Sequence, residues 1–191
     1  MERREYKYVS VMTSSTQRYE DPFAGSTGLE VWRGAEMLSR YLEANPVTGR
    51  VVELGAGTGL PGLTAAKLGA RVTLTDQDPQ VLELLRHNVQ VNGLDVDVRR
   101  VVFGDAIDAD VVLAADILYL TRQVKPLRQT LRVVDDGAEC LFAHEMRRTW
   151  HRGGQDETDE VWDAFRRQCD GLTFRVLESN EQLHLFKITS S

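Results

Sequence analysis

Short apolar runs alternate with helically spaced apolar positions along most of this chain. An apolar run bounded by turn residues predicts a buried strand, whereas apolar positions at i, i+3 and i+4 predict an amphipathic helix. Strands are predicted at 50–54, 71–75, 96–103, 110–115 and 138–143. Helices are predicted at 29–44, 60–69, 79–92, 123–134 and 157–169. This alternation predicts an α/β fold whose mostly parallel sheet carries helices on both faces.

The two ends of the chain depart from this alternation. Residues 6–12 are β-prone and predict a short strand or an ordered arm, and 13–27 predict a loop, so that 1–27 form an N-terminal arm. Two last strands are predicted at 173–178 and 182–188, with about three residues between them. That length permits a hairpin and no crossover, so one of the two strands must run antiparallel.

Composition narrows the class of protein. The 191 residues are 42% hydrophobic and 27% charged, which suits a single globular domain over 1–191. No apolar run approaches the roughly 20 residues that span a bilayer, and the charged N-terminus lacks the apolar segment of a secretory signal. The net charge of −6 argues against a nucleic-acid binder, and it fits a basic protein substrate as well as it fits solubility alone. We expect a cytoplasmic or nuclear monomer, with both cysteines reduced, that binds neither nucleic acid nor membrane.

A glycine-dense turn after the first core strand is the strongest sign of ligand binding. Gly55, Gly57 and Gly59 match the spacing of S-adenosylmethionine (AdoMet) sites, while Gly57, Gly59 and Gly62 match the dinucleotide fingerprint. Alternating glycines remove side chains that would block a ligand and permit φ > 0, although a purely structural turn has the same composition. Asp76, at the end of the next strand, places a carboxylate where either nucleotide presents its ribose.

Chain length and the terminal hairpin favour the AdoMet spacing. A nicotinamide dehydrogenase needs a second half or domain to present its substrate, and little chain remains for one. The hairpin also disfavours the all-parallel dinucleotide fold and suits a methyltransferase sheet. With the AdoMet spacing, Gly62 is expected to serve close packing of the next helix and not to contact the ligand.

Five motifs, in the same order, are similar to those of one family. They are Gly28–Ala35 (G-L-E-V-W-R-G-A), Glu53–Ala70, Leu74–Asn92, Val102–Gly104 and Ala114–Tyr119 (A-A-D-I-L-Y). On these residues the chain resembles the family 16 protein-lysine methyltransferases, the methyltransferase-like 21 and 23 group, over nearly its whole length. The resemblance implies a Rossmann-like seven-stranded methyltransferase sheet, mostly parallel with its last strand antiparallel. It also implies the cofactor AdoMet and the product S-adenosylhomocysteine.

The resemblance further implies the residues of the cofactor site. Phe103 departs from the family pattern, which has Trp at this place beside the adenine. A phenylalanine ring can stack there too, with less area and no indole N–H. The implied cofactor-binding residues are Trp32, Glu53, Gly55, Ala56, Gly57, Gly59, Asp76, Phe103 and Ala115.

Methyl transfer to lysine sets the chemistry of the acceptor side. A lysine, whose ordinary pKa is about 10.4, must lose its proton before it can act as a nucleophile. The resemblance implies that Asp116 captures the ammonium group, that Tyr119 orients the amine and that Glu145 helps to hold the substrate. Capping of the next helix is the alternative role for Asp116. We expect no metal, no catalytic triad and no nucleophilic cysteine, a structural His144, and an Arg147–Arg148 pair that is solvated or ion-paired.

Three functional hypotheses follow. The first is an AdoMet-dependent protein N-methyltransferase that acts on lysine of a non-histone protein. The second is an AdoMet-dependent methyltransferase with another acceptor, which is a protein arginine or histidine or a small molecule. The third is a non-catalytic binding module with the AdoMet fold, which predicts an obstructed cofactor cleft.

Overall fold

The computed structural model describes residues 1–13, 27–146, 150–151, 154–155 and 159–191. The strands in this part of the chain are β1 (Glu2–Glu5), β2 (Ser10–Thr13), β3 (Arg50–Leu54), β4 (Arg71–Asp76), β5 (Asp97–Arg100), β6 (Val111–Ala115), β7 (Glu139–Glu145), β8 (Trp150–His151), β9 (Gly154–Gln155), β10 (Leu172–Ser179) and β11 (Leu183–Ser190). The helices are α1 (Arg33–Ala44), α2 (Leu60–Lys67), α3 (Pro79–Asn92), α4 (Thr121–Thr130), α5 (Arg132–Asp135) and α6 (Glu160–Gln168).

Seven of the described strands form one sheet, in the order β10-β11-β7-β6-β3-β4-β5. The five strands from β7 to β5 pair in parallel. The last strand of the chain, β11, lies between β7 and β10 and pairs antiparallel with both. The predicted sheet, mostly parallel with its last strand antiparallel, is confirmed.

Both faces of the central strands are buried. In β3, Val51 packs into the apolar core beneath α1, α2 and α3, whereas Val52 and Leu54 pack into a second core beneath α4, α5 and α6. The same alternation recurs in β7, where Leu141 belongs to the first core and Phe142 to the second. Because both faces are covered, these strands are nearly continuous in apolar residues, which made them predictable from the sequence.

Local signals fix both ends of α3. Asp78 is the N-cap, and its carboxylate accepts a hydrogen bond from Gln80 N–H at 2.8 Å. Pro79 stands at the first helical position, where its missing N–H and fixed φ suit the helix. Gly93 ends the helix in the left-handed region with φ 60°. The helix begins where the sequence predicts it.

The prediction of a strand over 6–12 is wrong in its bounds. The segment instead contains the turn of a hairpin between β1 and β2, closed by a hydrogen bond from Tyr6 N–H to Val9 C=O at 2.8 Å. Strand β1 is exposed along its whole length and has no apolar positions, so its sequence carries no strand signal. Strand β2 is mostly buried, with Val11 fully covered.

Two asparagines of α3 dock this hairpin onto the domain. The Asn92 side chain accepts from Ser10 N–H at 2.8 Å and donates to Ser10 C=O at 2.6 Å. One turn earlier, the buried Asn88 accepts from Met12 N–H at 2.8 Å and donates to Thr58 C=O at 2.9 Å. The two side chains supply the pairing that a neighbouring strand would give to β2, and Asn88 also holds the loop before α2.

The third predicted core strand is shorter than expected. A strand was predicted over 96–103, but β5 ends at Arg100. The carboxylate of Asp105 accepts from Val102 N–H at 2.8 Å, so the backbone leaves the ladder and turns here. Phe103 therefore lies in a turn beyond the strand.

The helix predicted over 123–134 is two helices. At Leu131 the backbone shifts to i−3 hydrogen bonding, with Val134 N–H donating to Leu131 C=O at 3.0 Å, and this separates α4 from α5. The short paired strands β8 and β9 lie between β7 and α6 along the chain.

Removing the Asn88 side chain will destabilise the protein. Asn88→Ala leaves Met12 N–H and Thr58 C=O without their partners, and we expect the free energy of unfolding to fall by about 2–4 kcal/mol. Urea unfolding followed by circular dichroism measures this change. Gln90→Ala, an exposed position on the same helix, is the matched control and should change stability by less than about 0.5 kcal/mol. Equal effects of the two variants would show that Asn88 does not anchor the hairpin.

Candidate active site

A cleft of about 210 Å³ lies at the carboxyl ends of the central strands, where the strand order reverses. From β3 the chain continues to β4 and β5 on one side, and then returns to β6 and β7 on the other. The carboxyl ends of β3 and β6 diverge at such a point and leave a crevice for ligands. Ten of the predicted site residues line this cleft, namely Trp32, Glu53, Gly55, Ala56, Gly57, Asp76, Phe103, Ala115, Asp116 and Tyr119.

Bare backbone forms one wall of the cleft. Gly55 and Gly57 both adopt the left-handed region, with φ 56° and 55°. A Cβ atom on Gly57 would stand 3.1 Å from the carbonyl oxygen of Gly28, and one on Gly55 would stand 2.8 Å from Ile117 Cγ2. Both the backbone conformation and the space therefore demand glycine, and a ligand can approach the main chain at this turn.

The other two glycines of the turn serve packing. Gly59 does not line the cleft; it precedes α2 with φ 80°, and a Cβ atom on it would stand 2.8 Å from Leu85 Cδ2. On Gly62 a Cβ atom would stand 2.4 Å from Leu74 Cδ2 and 2.5 Å from Glu53 Oε2. Close packing is the role that the sequence predicts for Gly62, whereas the cofactor contact predicted for Gly59 has no counterpart in the cleft lining.

A buried and a half-buried carboxyl group stand beside the glycine turn. Glu53 is 2% exposed, and its Oε2 accepts from Gly62 N–H at 2.9 Å. Burial raises the pKa of Glu53 to about 8. Asp76 accepts from Asp78 N–H at 3.0 Å and from Gly57 N–H at 3.3 Å, and burial raises its pKa as well. The carboxyl ends of β3 and β4 thus present two acids to the same side of the cleft.

Asp116 follows β6 directly and joins two other elements. It is 8% exposed, and its φ of 53° is in the left-handed region. Its Oδ2 accepts from Gly34 N–H in the first turn of α1 at 2.7 Å, and its Oδ1 accepts from Glu145 N–H at the end of β7 at 2.9 Å. The alternative role considered from the sequence, a cap for the following helix, is wrong, because the helix that Asp116 caps is α1.

Tyr119 and Trp32 both line the cleft. The backbone at Tyr119 is held by Gln123, whose side-chain oxygen accepts from Tyr119 N–H at 3.1 Å and from Leu120 N–H at 2.9 Å. This arrangement caps the start of α4. The indole N–H of Trp32 donates to Thr27 C=O at 2.8 Å, which orients its ring. Specific hydrogen bonds therefore hold the Trp32 ring and the Tyr119 backbone.

His144 and Glu145, at the end of β7, lie outside the cleft. Glu145 does not line the cleft, and its carboxylate forms an ion pair with Arg33 at 2.6 Å. His144 is 1% exposed and contacts Asp159 through Nε2 at 2.9 Å, so it is a structural histidine, as predicted. The predicted environment of Arg147–Arg148 lies outside the described residues.

The sequence analysis missed several cleft residues. Glu30 lines the cleft two positions before Trp32, within a motif already identified, and Asp78 follows Asp76 at the same strand end. Gln123 was detectable from its position three residues after the N-cap residue of α4, where glutamine side chains reach back to the backbone.

The cleft is strongly acidic. Among the described residues that line it, no side chain is basic, and a charged phosphate would find no counter-ion there. This lining suits a cationic ligand and disfavours the pyrophosphate of a dinucleotide. The carboxyl groups that line the cleft are those of Glu30, Glu53, Asp76, Asp78 and Asp116.

Solved structures support the fold. A SAM-dependent methyltransferase from Aquifex aeolicus superposes with a TM-score of 0.60 and 18% identity, covering 79% of this chain and 88% of that one. The glycopeptide N-methyltransferase MtfA, complexed with S-adenosylmethionine, gives a TM-score of 0.59 and 14% identity over 83% and 94% of the two chains. At these identities the likeness shows a shared fold.

Sequence relatives give a finer likeness. Protein N-lysine methyltransferase METTL21A of Danio rerio is 41% identical over 121 residues, which are 56% of this chain and 55% of the relative. Histone-arginine methyltransferase METTL23 of Xenopus laevis is 36% identical over 118 residues, 55% and 50% of the two chains. Protein-lysine N-methyltransferase EEF2KMT of Homo sapiens is 36% identical over 133 residues, 56% and 40%. The chain spans about half the length of the relatives that it matches.

A family model described as "Lysine methyltransferase" matches residues 13–156. This range contains the glycine turn, Asp76 and the whole of the A-A-D-I-L-Y motif. The resemblance to the family 16 protein-lysine methyltransferases is confirmed. Since the match covers most of the sequence, this chain belongs to the lysine methyltransferase family.

Proposed function

We propose that this chain is an AdoMet-dependent protein N-methyltransferase that acts on lysine of a non-histone protein. The observation that carries the proposal is the cleft itself, where a glycine backbone wall meets five carboxyl groups and no basic side chain among the described lining residues. AdoMet carries a sulfonium and an ammonium group, and lysine arrives as a cation, so both ligands match this charge. The names of the METTL21A and EEF2KMT relatives add support for lysine.

The residues present fit the cofactor. The turn at Gly55 and Gly57 gives the close backbone approach that a nucleoside ligand needs. Asp76 would accept from the ribose hydroxyls, since each carboxylate oxygen keeps a free lone pair beside its backbone hydrogen bond. Phe103, in the turn after β5, offers a ring face to the adenine. Glu53 and Trp32 would bound the remaining part of the molecule.

Positioning accounts for most of the chemistry that this chain would supply. When bound, AdoMet provides an electrophilic methyl group whose thioether leaving group needs no acid. The acidic cleft first attracts the cationic lysine, and the amine must then lose its proton before it can attack. Tyr119, held through Gln123 at the start of α4, stays the predicted group that orients the amine. Alignment of the amine, once its proton has passed to solvent, with the methyl group lowers the barrier.

Arginine is the second candidate acceptor. The METTL23 relative, named a histone-arginine methyltransferase, is 36% identical over 118 residues, so the printed names of the relatives support two acceptor types. An acidic cleft suits a guanidinium group as well as an ammonium group. The loops that recognise a protein substrate vary most between relatives, so the acceptor is decided by direct labelling.

Location and partners complete the proposal. We place the protein in the cytoplasm or nucleus, as a monomer acting on a protein substrate. Within the described ranges, no helix is long and apolar enough to cross a membrane. Cys140 and Cys169 are free and buried there, as the sequence analysis expects of reduced thiols.

Labelling of a cell lysate tests the activity. The purified protein is incubated with lysate and methyl-labelled AdoMet, and the labelled proteins are identified by mass spectrometry of their peptides. We expect label on lysine side chains. Label confined to arginine would favour the second candidate, and tight AdoMet binding without any label would favour a non-catalytic module.

Loss of the Asp76 carboxylate will weaken cofactor binding. Asp76→Ala removes the proposed acceptor of the ribose hydroxyls, and we expect the AdoMet Kd to rise about 10- to 100-fold in calorimetry. Asp97→Ala, on the neighbouring strand β5 and exposed in its pair with Arg99, is the matched control and should leave the Kd unchanged. An unchanged Kd for Asp76→Ala would remove Asp76 from the cofactor site.

Burial of Glu53 predicts a pH dependence of stability. Its pKa is raised to about 8 in the folded protein against 4.5 for an ordinary glutamate, so between these values the folded state holds a proton that the unfolded state has lost. The group therefore lowers the free energy of unfolding as the pH rises through this window, by about 2–4 kcal/mol. Glu53→Gln should gain stability relative to wild type at about pH 8 and match it more closely near pH 5.

Thermal unfolding across this pH range measures the effect. Glu83→Gln, an exposed position on α3, is the control and should follow the wild-type curve. Parallel curves for wild type and Glu53→Gln would mean that Glu53 is ionised throughout.

A further inference from the structure

Asp116 is the residue to which the family motif assigns acceptor chemistry, yet its carboxylate is engaged by the fold. Both of its oxygens accept short hydrogen bonds, from Gly34 N–H at 2.7 Å and from Glu145 N–H at 2.9 Å. Asp116 as a whole is only 8% exposed. Among the described residues it is also the one non-glycine residue with positive φ, which shows that the surroundings hold the backbone in place against its intrinsic preference.

The donor at Gly34 gives Asp116 a capping role. The N-cap residue of α1 is Trp32, whose side chain makes no capping hydrogen bond. The first-turn N–H groups of a helix need partners from outside it, and a carboxylate there also interacts favourably with the helix dipole. Asp116 supplies this partner from 82 positions away in the sequence. It therefore caps the helix whose first residues, including Trp32, line the cleft.

The contact at Gly34 leaves no room for adjustment. A Cβ atom on Gly34 would stand 2.5 Å from Asp116 Oδ2 and 2.7 Å from its Cγ. Glycine therefore allows the carboxylate to approach the helix backbone, and any side chain would push the two apart. Gly34 itself does not line the cleft.

An exposed ion pair also joins the start of α1 to the end of β7. Arg33, next to Gly34, forms an ion pair with Glu145 at 2.6 Å, and Glu145 N–H is the second donor to Asp116. The start of α1, the end of β6 and the end of β7 thus form a closed ring of contacts. We call the residues Arg33, Gly34, Asp116 and Glu145 the bracket.

We infer that Asp116 is a positioning residue, whose carboxylate fixes the start of α1 and the Trp32 wall of the cleft against β7, and that it is not the counter-charge of the methyl acceptor. The positioning role stands on the contacts alone, and only the statement about the methyl acceptor rests on the proposed function. The backbone donors hold both Asp116 oxygens at 2.9 Å or less in a buried residue, whereas the half-buried Asp76 accepts its backbone bonds at 3.0 and 3.3 Å, so Asp116 offers less of its carboxylate to a ligand. Tyr119, three positions on, lines the same cleft.

Two variants separate the roles. Gly34→Ala displaces the Asp116 carboxylate while keeping its charge, and Asp116→Asn removes the charge while keeping one acceptor oxygen. Positioning predicts that both variants lose protection from hydrogen exchange at Gly34 or its replacement and at Glu145, and that both weaken S-adenosylhomocysteine binding about tenfold or more. It also predicts that the double variant is no worse than the more severe single variant.

Leu42→Ala is the matched control in the same helix. Leu42 is fully buried near the far end of α1, so its loss lowers thermal stability without touching the bracket. We expect the Leu42→Ala protein to bind S-adenosylhomocysteine with wild-type affinity, which separates a local role of the bracket from general destabilisation. If Gly34→Ala does not fold, Asp116→Glu takes its place, since it keeps the charge and lengthens the side chain.

The opposite result is equally clear. Capture of the acceptor predicts that Gly34→Ala and Asp116→Glu keep cofactor affinity, while Asp116→Asn raises the KM for a lysine peptide alone and leaves amide protection unchanged. That pattern would overturn the inference. Amide exchange is measured without cofactor or substrate, so a wild-type protein that methylates nothing would refute the proposed function while the bracket is still decided.

Discussion

Three carboxyl groups at the ends of the central strands each accept a hydrogen bond from the N–H of a glycine. Glu53 pairs with Gly62 at 2.9 Å, Asp76 with Gly57 at 3.3 Å and Asp116 with Gly34 at 2.7 Å. A buried acid must be hydrogen-bonded, and glycine lets the main chain approach the carboxylate closely. At Gly62 and Gly34 a Cβ atom would stand 2.5 Å from the carboxylate oxygen. The glycines of this chain therefore serve its acids as much as its ligand.

This pairing shapes both the fold and the chemistry of the cleft. Each carboxyl group ties the end of a strand to the start of another element, so the loops around the cleft are held by main-chain contacts. The hydrogen bonds satisfy the acids without cancelling their charge, because no basic side chain stands among the described residues of the lining. Burial of Glu53, near Asp76, raises its pKa to about 8. At neutral pH Glu53 is therefore mostly protonated and adds little negative charge to the cleft.

Sequence reasoning succeeded where the signal is local. The bounds of β3, the glycine turn and the Asp78 cap of α3 are each encoded within a few neighbouring residues, and the terminal hairpin is encoded by a short connection. It failed for β1, whose exposed residues carry no apolar pattern. It also could not predict that Arg33 pairs with Glu145, 112 positions away, because side-chain pairing across that distance depends on the completed sheet. Ten site residues meet in the cleft, while Gly59 and Glu145 are used for packing and pairing.

A sequence motif suggests one shared chemical role for its residues, whereas the structure gives the residues different roles. In the A-A-D-I-L-Y motif, Asp116 directs both oxygens at backbone donors, whereas Tyr119 lines the cleft from a backbone that Gln123 holds. The carboxyl groups of the cleft also differ in their partners. Asp78 is a helix cap and Glu53 accepts from α2, while Glu30 makes no hydrogen bond or ion pair with another described residue. The number of acids in a cleft therefore overstates how many can contact a ligand directly, since most of these carboxyl groups already serve the fold.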